Sequence, residues 1–234
     1  MADTIHLLPT AALADRVLLP GDPGRALRLA QSLLSEPKMF NHNRGLWGYT
    51  GTAVDGQPLT IQSTGMGGPS SAIVIAELDD LGAKTVVRVG TCGALHGSLV
   101  LGQLLIATHA IAADGTSRAL GAGERVTGDP ELLRCLEAGP DGTASGTVVC
   151  SDLFYDGPDG QEHRWLTAGA LAVEMETATL YALADRRGLR AASLLVVSDV
   201  ILPARVRIDT QALHAAERRM GEAALGALTQ LSDA

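Results

Sequence analysis

Thr85-Val-Val-Arg-Val-Gly90 reads as a strand that is apolar on both sides apart from one arginine. A strand of that kind must be covered on both faces, the pattern of a largely parallel sheet flanked by helices. Further strands are expected at Arg16–Pro20, Leu46–Val54, Leu59–Ser63, Gln103–Thr108, Thr147–Cys150, Ala170–Met175 and Ala192–Ser198. Apolar spacing predicts helices over Arg25–Leu34, Ser70–Leu81, Pro130–Glu137, Gln161–Thr167, Thr177–Arg187 and Thr210–Leu231. Asp55-Gly-Gln-Pro58 reads as a turn between two strands, and the Gly- and Asp-rich stretches Asp114–Gly128 and Gly139–Gly146 read as loops. Strands alternating with helices give an α/β class, a central sheet with helices on both sides. A length of 234 residues suits one large domain rather than two, and no linker or repeat divides the chain.

A formal charge of −8 argues against nucleic acid or an anionic membrane as a bulk partner, so any bound anion must be held by a local cluster. Cys92, Cys135 and Cys150 form no metal-ligand spacing and cannot all pair, which suits a reducing compartment. The opening Met-Ala-Asp-Thr-Ile-His lacks the basic start and apolar run of a secretory signal, and no stretch approaches a membrane span. A cytoplasmic protein is expected.

Leu171–Tyr181 places two acids, Glu174 and Glu176, in a run that otherwise reads as buried. Residues two apart in an extended segment point to the same side, so both carboxylates can face one cavity. A solvated surface strand is the plain alternative, but the apolar flanks favour a polyol or cation partner. Arg88 needs a carboxylate or a bound anion, because an unpaired buried guanidinium is costly. A structural pair with Glu174 or Glu176 would satisfy it without excluding a ligand. Gly90-Thr-Cys-Gly93 follows at the carboxyl end of the strand, where open α/β sheets bind ligands, and Thr91 can offer a hydroxyl and an N–H to a phosphate oxygen. Cys92 has no base beside it in the sequence and reads as a packing residue.

Gly21-Asp-Pro-Gly-Arg25 joins a strand to a helix start, where backbone N–H groups and a guanidinium can hold an anion. Six of the seven aromatics fall in two clusters, Phe40/Trp47/Tyr49 and Phe154/Tyr155/Trp165, which suggests stacking on a planar ring or an interface, with core packing as the alternative for the tryptophans. Ser198-Asp199 ends an apolar strand, a place for either a capping acid or a general acid.

In order along the chain stand Pro20-Gly-Asp-Pro, Arg44-Gly-Leu-Trp-Gly-Tyr-Thr-Gly, Thr64-Gly-Met-Gly, Arg88-Val-Gly-Thr-Cys-Gly-Ala, Ser151-Asp-Leu-Phe-Tyr, Val173-Glu-Met-Glu and Ser198-Asp199. This ordered set resembles the nucleoside phosphorylase superfamily, and within it the bacterial purine nucleoside phosphorylases that assemble as hexamers. The resemblance implies one nucleoside phosphorylase domain over residues 1–234, with a central mixed, partly barrel-like sheet flanked by helices. It implies phosphate-dependent, reversible cleavage of purine (deoxy)ribonucleosides to free base and (deoxy)ribose 1-phosphate. No cofactor or metal is implied; inorganic phosphate is the co-substrate. Gly21, Arg25, Arg88 and Thr91 would bind phosphate, with Arg44 reaching in from a neighbouring subunit. Glu176 would hold the ribose 2′- and 3′-hydroxyls within the Val173-Glu174-Met175-Glu176 segment, Met175 and Met66 would pack on the sugar, and the neighbour's copy of His6 would meet the 5′-hydroxyl. Phe154 would flank the base, Val173 would line its pocket, and Asp199, beside Ser198, would protonate N7. In the family an arginine of the last helix assists that acid, and Arg218 in Ala216-Glu-Arg-Arg219 takes that place here, although it lies farther from Asp199 and Arg205 and Arg207 intervene. The homo-oligomer would be a hexamer built as a trimer of dimers, serving purine salvage.

Three rivals share parts of this pattern. Uridine phosphorylases match Ser63-Thr-Gly-Met-Gly-Gly-Pro-Ser, and Gln161-Glu-His-Arg164 resembles their pyrimidine-reading pair, but that branch lacks the Ser-Asp acid. Hydrolases of methylthioadenosine lack the Gly-Asp-Pro turn with its arginines. A nucleoside-binding protein without catalysis would not need the acid, ribose and phosphate positions all filled. A Rossmann dinucleotide fold is disfavoured because no Gly-x-Gly-x-x-Gly follows the first strand.

Overall fold

The computed structural model describes residues 4–232. Met1–Asp3, read above as part of a start without a secretory signal, lie outside them, as do the last two residues of the expected 1–234 domain. The apolar strand at the centre is longer than its sequence pattern and runs Thr85–Ala94 (β5 below). It alternates between two cores: Val86 joins one, while Val87 and Val89 join the other. Arg190–Val200 (β10) does the same, with Ala191, Leu195 and Val197 on one side and Ala192, Leu194 and Val196 on the other. The first core is closed by the helices Gly68–Asp80 (α2) and Thr177–Arg187 (α6), the second by Pro23–Leu33 (α1), Pro130–Glu137 (α4) and Thr210–Ser232 (α7). Burying both faces of the strands is what removes their apolar side chains from water, at roughly 25 cal/mol per Å².

Among the described residues the sheet has eleven strands. β5 pairs with β10 in parallel, and β10 pairs antiparallel with Leu104–Ala112 (β6). β6 leads in parallel to Ala144–Cys150 (β8) and then to Ala172–Glu174 (β9), which returns antiparallel to β5. These five strands form a closed ring, as the barrel-like expectation requires. From β5 the sheet also opens into a wing through Arg16–Leu19 (β1), Pro58–Gln62 (β4), Gly48–Ala53 (β3) and Leu34–Asn41 (β2). Parallel and antiparallel pairs coexist, so the sheet is mixed.

Four elements depart from the expectation. Leu34 ends the first helix early and begins β2, an edge strand whose middle, Ser35–Met39, is exposed and bulged around Pro37, so it carries no apolar alternation to read. The expected loop Asp114–Gly128 holds a five-residue helix, Gly115–Ala119 (α3), and a short strand, Arg125–Thr127 (β7). α3 is started by Asp114, whose carboxylate accepts the Ser117 N–H at 2.7 Å. Val206–Arg207 (β11) pairs antiparallel with the end of β10. The remaining helix, Gln161–Thr167 (α5), has the expected bounds. Among the described residues no helix is long and apolar enough to cross a membrane.

Candidate active site

The carboxyl ends of β5, β9 and β10 and the loop after β1 meet around a cavity of about 680 Å³. Gly21, Arg25, Met66, Arg88, Thr91, Phe154, Val173, Glu174, Met175, Glu176, Ser198 and Asp199 all line it. Residues far apart in sequence are therefore gathered on one space.

The innermost part is a buried charge cluster. Arg88 donates through Nε to Glu174 Oε2 at 3.0 Å, and its Nη2 lies 2.5 Å from Glu176 Oε2. The two acids two apart thus have a cation partner in the same chain. Glu174 also accepts the backbone N–H groups of Glu176 and Thr177, at 3.0 and 2.9 Å, at the start of α6, where the helix dipole favours an anion. Glu176 accepts the Gly67 N–H at 2.6 Å. Gly67 has φ +83°, a conformation L side chains rarely adopt, so a glycine is what allows that N–H to face the carboxylate. Burial works to lower the Arg88 pKa, but Glu176 and Glu174 outweigh it and raise it, so the guanidinium stays charged. Burial pushes the Glu174 carboxyl up, Arg88 pulls it down, and the neighbouring Glu176 adds to the rise. The Arg88 guanidinium folds back over β5: a Cβ on Gly90 would stand 2.6 Å from its Nη2. With Nε and Nη2 engaged, Nη1 remains for an anion.

Arg25 sits at the wall nearest α7. Its Nε donates to Glu217 Oε1 at 2.7 Å and its Nη1 to the Val89 carbonyl at 3.3 Å, while Arg28 donates to the other Glu217 oxygen at 2.7 Å. Glu217 is 2% exposed and was not singled out from the sequence. A signal was there: it is a lone acid at helical spacing between Leu213, Met220 and Ala224 on the buried stripe of α7. The expected backbone anion site at the start of α1 is partly taken, because Asp22 itself accepts the Gly24 and Arg25 N–H groups at 3.0 and 2.9 Å.

At the other end lie Ser198 and Asp199. In the sheet register Arg88 stands opposite Ser193 and Gly93 opposite Asp199, so the two ends are five residues apart along β5, roughly 16 Å of strand. The Ser198 hydroxyl donates to Asp199 Oδ2 at 2.8 Å. Asp199 is 6% exposed, and its Oδ1 has no aligned hydrogen-bond donor among the described residues, although Arg207 Nε lies 3.2 Å away. Val173 faces Gly93 across the ladder, and Phe154 is half exposed under the Arg205 guanidinium, 4.9 Å from the ring centre. Cys92 is buried and its thiol is pushed up by burial and by Glu174, consistent with packing rather than nucleophilic chemistry.

Arg218, expected beside Asp199, is not at this cavity, and His6 and Arg44, expected at a neighbour's site, do not line the chain's own. Arg218 lines a separate groove of about 300 Å³ between α1 and α7, and the guanidinium beside Asp199 is that of Arg207, brought there by the β10–β11 ladder. His6 is held by Glu77, Nδ1 to Oε1 at 2.7 Å, and its carbonyl accepts from Asn43 at 3.0 Å. Arg44, in the 3-10 turn Asn43–Gly45, is exposed, with no side-chain partner among the described residues.

Comparison with known proteins gives a consistent picture. Residues 15–233 match the family model described as the phosphorylase superfamily. The chain is 42% identical over 207 residues to a DeoD-type purine nucleoside phosphorylase of Geobacillus kaustophilus, covering 85% of this chain and 87% of that one. It is 37% identical over 203 residues to a guanosine phosphorylase of Halorubrum lacusprofundi, covering 84% and 83%. Among solved structures, uridine phosphorylase from Vibrio fischeri superposes with a TM-score of 0.83 at 29% identity, covering 93% of both chains.

Proposed function

The chain belongs to the phosphorylase superfamily, and we propose that within it the protein is a purine nucleoside phosphorylase. It cleaves the N-glycosidic bond of purine (deoxy)ribonucleosides with inorganic phosphate, reversibly, to free base and (deoxy)ribose 1-phosphate. The observation that carries this reading is the buried Asp199 carboxyl, with one unaligned oxygen, at the opposite end of the cavity from Arg88 and Glu176. Cleavage leaves positive charge on the sugar and negative charge on the departing purine. Asp199 protonates N7 and so neutralises the leaving group, a contribution typically of ~10²–10⁴-fold. Phosphate, held by Gly21, Arg25, Arg88 and Thr91, attacks the anomeric carbon and stabilises the cationic sugar, so much of the rate comes from positioning and electrostatics. Glu176 grips the ribose 2′- and 3′-hydroxyls with its remaining lone pairs, Met66 and Met175 cover the sugar, and Phe154 and Val173 hold the base. Glu174 keeps Arg88 oriented, and Ser198 keeps Asp199 oriented. No cofactor takes part.

Both guanidinium groups of the inner wall are already paired, Arg88 with Glu174 and Glu176 and Arg25 with Glu217. A further cation for phosphate is therefore drawn from the unpartnered Arg44 of a neighbouring subunit, with His6 of the same neighbour at the 5′-hydroxyl, in a hexamer of shared sites. Three free, buried cysteines fit the cytoplasm and a role in purine salvage. The Vibrio fischeri neighbour and the presence of Gln161 in the cavity wall favour uridine as the second reading. Against it, Arg164 is turned to the Asp159 carbonyl at 2.9 Å, and a pyrimidine has no N7 for Asp199 to serve. Incubating the protein with inosine, adenosine or uridine, with and without phosphate, tests the choice. Free purine and pentose 1-phosphate should form only with phosphate present; preference for uridine, or equal cleavage without phosphate, contradicts it.

A further inference from the structure

We infer that Arg207, on the two-residue strand β11, is the positioning residue that stabilises Asp199 as it gives up its proton, and that Arg218 is not. This rests on the purine-cleaving reading above. β11 pairs antiparallel with the end of β10 so that Arg207 stands directly across from Asp199 and Val206 across from Val200. The Ile208 N–H donates to the Ser198 carbonyl at 2.9 Å and fixes that register. Directly opposed residues of an antiparallel pair carry their side chains on the same face, which is why the guanidinium arrives beside the carboxylate.

The two oxygens of Asp199 then differ. Oδ2 takes the Ser198 hydroxyl at 2.8 Å. Oδ1 has Arg207 Nε at 3.2 Å, off the line of a hydrogen bond, so the guanidinium acts there as a nearby charge and leaves a lone pair for a proton in transit. The other two guanidinium groups considered for this place stand elsewhere. Arg205 lies over Phe154, and Arg218 lines the groove between α1 and α7 together with Arg25, Arg28 and Glu217.

The chemistry assigns Arg207 its role. As the C1′–N9 bond breaks, its electron pair moves into the purine, N7 takes the proton of the Asp199 carboxyl, and a phosphate oxygen bonds to C1′. The carboxyl is restored by the proton that the attacking phosphate carries, so in the net reaction one proton passes from phosphate to base. The step creates a carboxylate at a position only 6% exposed. A neutral acid gains little from a neighbouring cation and a carboxylate gains much, so Arg207 favours the transition state over the ground state.

The test separates proton delivery from folding and binding. A purine nucleoside methylated at N7, such as 7-methylguanosine, carries its positive charge already and departs as a neutral base without a proton from the enzyme. Arg207→Gln should lower kcat for inosine by about tenfold or more, less than the 10²–10³ of a fully buried donor because Arg207 is largely exposed. The same variant should keep 7-methylguanosine turnover within about threefold of the parent, and Arg218→Gln should cost far less on inosine than Arg207→Gln does. An inosine rate that stays within about threefold, an equal fall on both substrates, or a larger selective loss from Arg218→Gln would each overturn the assignment. A parent protein that does not phosphorolyse inosine at all would instead overturn the function on which the assignment rests.

Discussion

Asp199 holds one oxygen against a serine hydroxyl and leaves the other without an aligned donor, in a place nearly sealed from water. An amide in its place keeps the shape and cannot deliver a proton. Asp199→Asn should therefore lower kcat for inosine by roughly 10²-fold or more, while KM for inosine changes by less than about threefold. Steady-state kinetics read this directly, and an unchanged kcat removes Asp199 from the mechanism. Much at this scale was legible in the sequence. Two acids two apart in an apolar run, and one arginine inside an apolar strand, each required a buried partner, and they are partners of one another. The neighbour of Asp199 was not legible, because choosing among Arg205, Arg207 and Arg218 depends on a two-residue ladder with no sequence pattern of its own.

At the scale of elements, β5 must let the Arg88 guanidinium lie across its own backbone. Gly90→Ala would place a methyl 2.6 Å from Nη2 and 3.0 Å from Leu195 Cδ2. Since the guanidinium is fixed by two buried carboxylates, the clash has no easy relief; we expect KM for phosphate to rise about tenfold and stability to fall by about 1–3 kcal/mol. Phosphate titrations and denaturant unfolding check both, and a phosphate KM within about threefold of the parent contradicts the placement. A second junction ties the turn between β3 and β4 to β1 and α7: Arg16 donates twice to Asp55, at 2.7 and 2.8 Å, and Thr229 donates to it at 2.6 Å. The Arg16 hydrogen bonds hold the Asp55 carboxyl well below the usual carboxylate range. The folded state therefore binds fewer protons there than the unfolded state. The stabilisation is complete above the ordinary carboxylate pKa and is lost as pH falls toward the folded value. Asp55→Asn should cost about 1–3 kcal/mol near neutral pH, and its deficit against the parent should shrink between about pH 5 and pH 3. A deficit in denaturant unfolding that is constant with pH contradicts this. Helices with clear end signals, such as Asp129-Pro130 opening α4 and Gly188 closing α6, were legible to the residue. The edge strand β2 and the ladders β7 and β11 were not, because exposed or two- to three-residue strands are defined by their partners rather than by alternation.

For the whole molecule, closure of the five-strand ring depends on β10 meeting both β5 and β6, pairings that no local pattern encodes; the family resemblance, not periodicity, carried that expectation. His6 and Arg44 stand together on one side, joined through Asn43, and outside the chain's own cavity. Ile5, Leu8 and Trp47 are exposed apolar side chains of the same segments, as a face covered by another copy would present. If sites are shared, Arg44→Ala and Asp199→Asn damage different halves of one site. Mixed assemblies of these two variants should regain about one quarter of the parental activity, the share of sites that random pairing leaves intact. No recovery on mixing would mean that each chain works alone. The central claim is that one cavity sets an anion held by arginines against a sugar held by Glu176 and a base met by Asp199. A crystal structure with phosphate and an uncleavable purine nucleoside analogue tests it most directly. The account predicts phosphate within hydrogen-bond reach of Arg25, Arg88 and Thr91, with the ribose diol on Glu176 and N7 at Asp199; an anion bound away from Arg88, or a base turned away from Asp199, would contradict it.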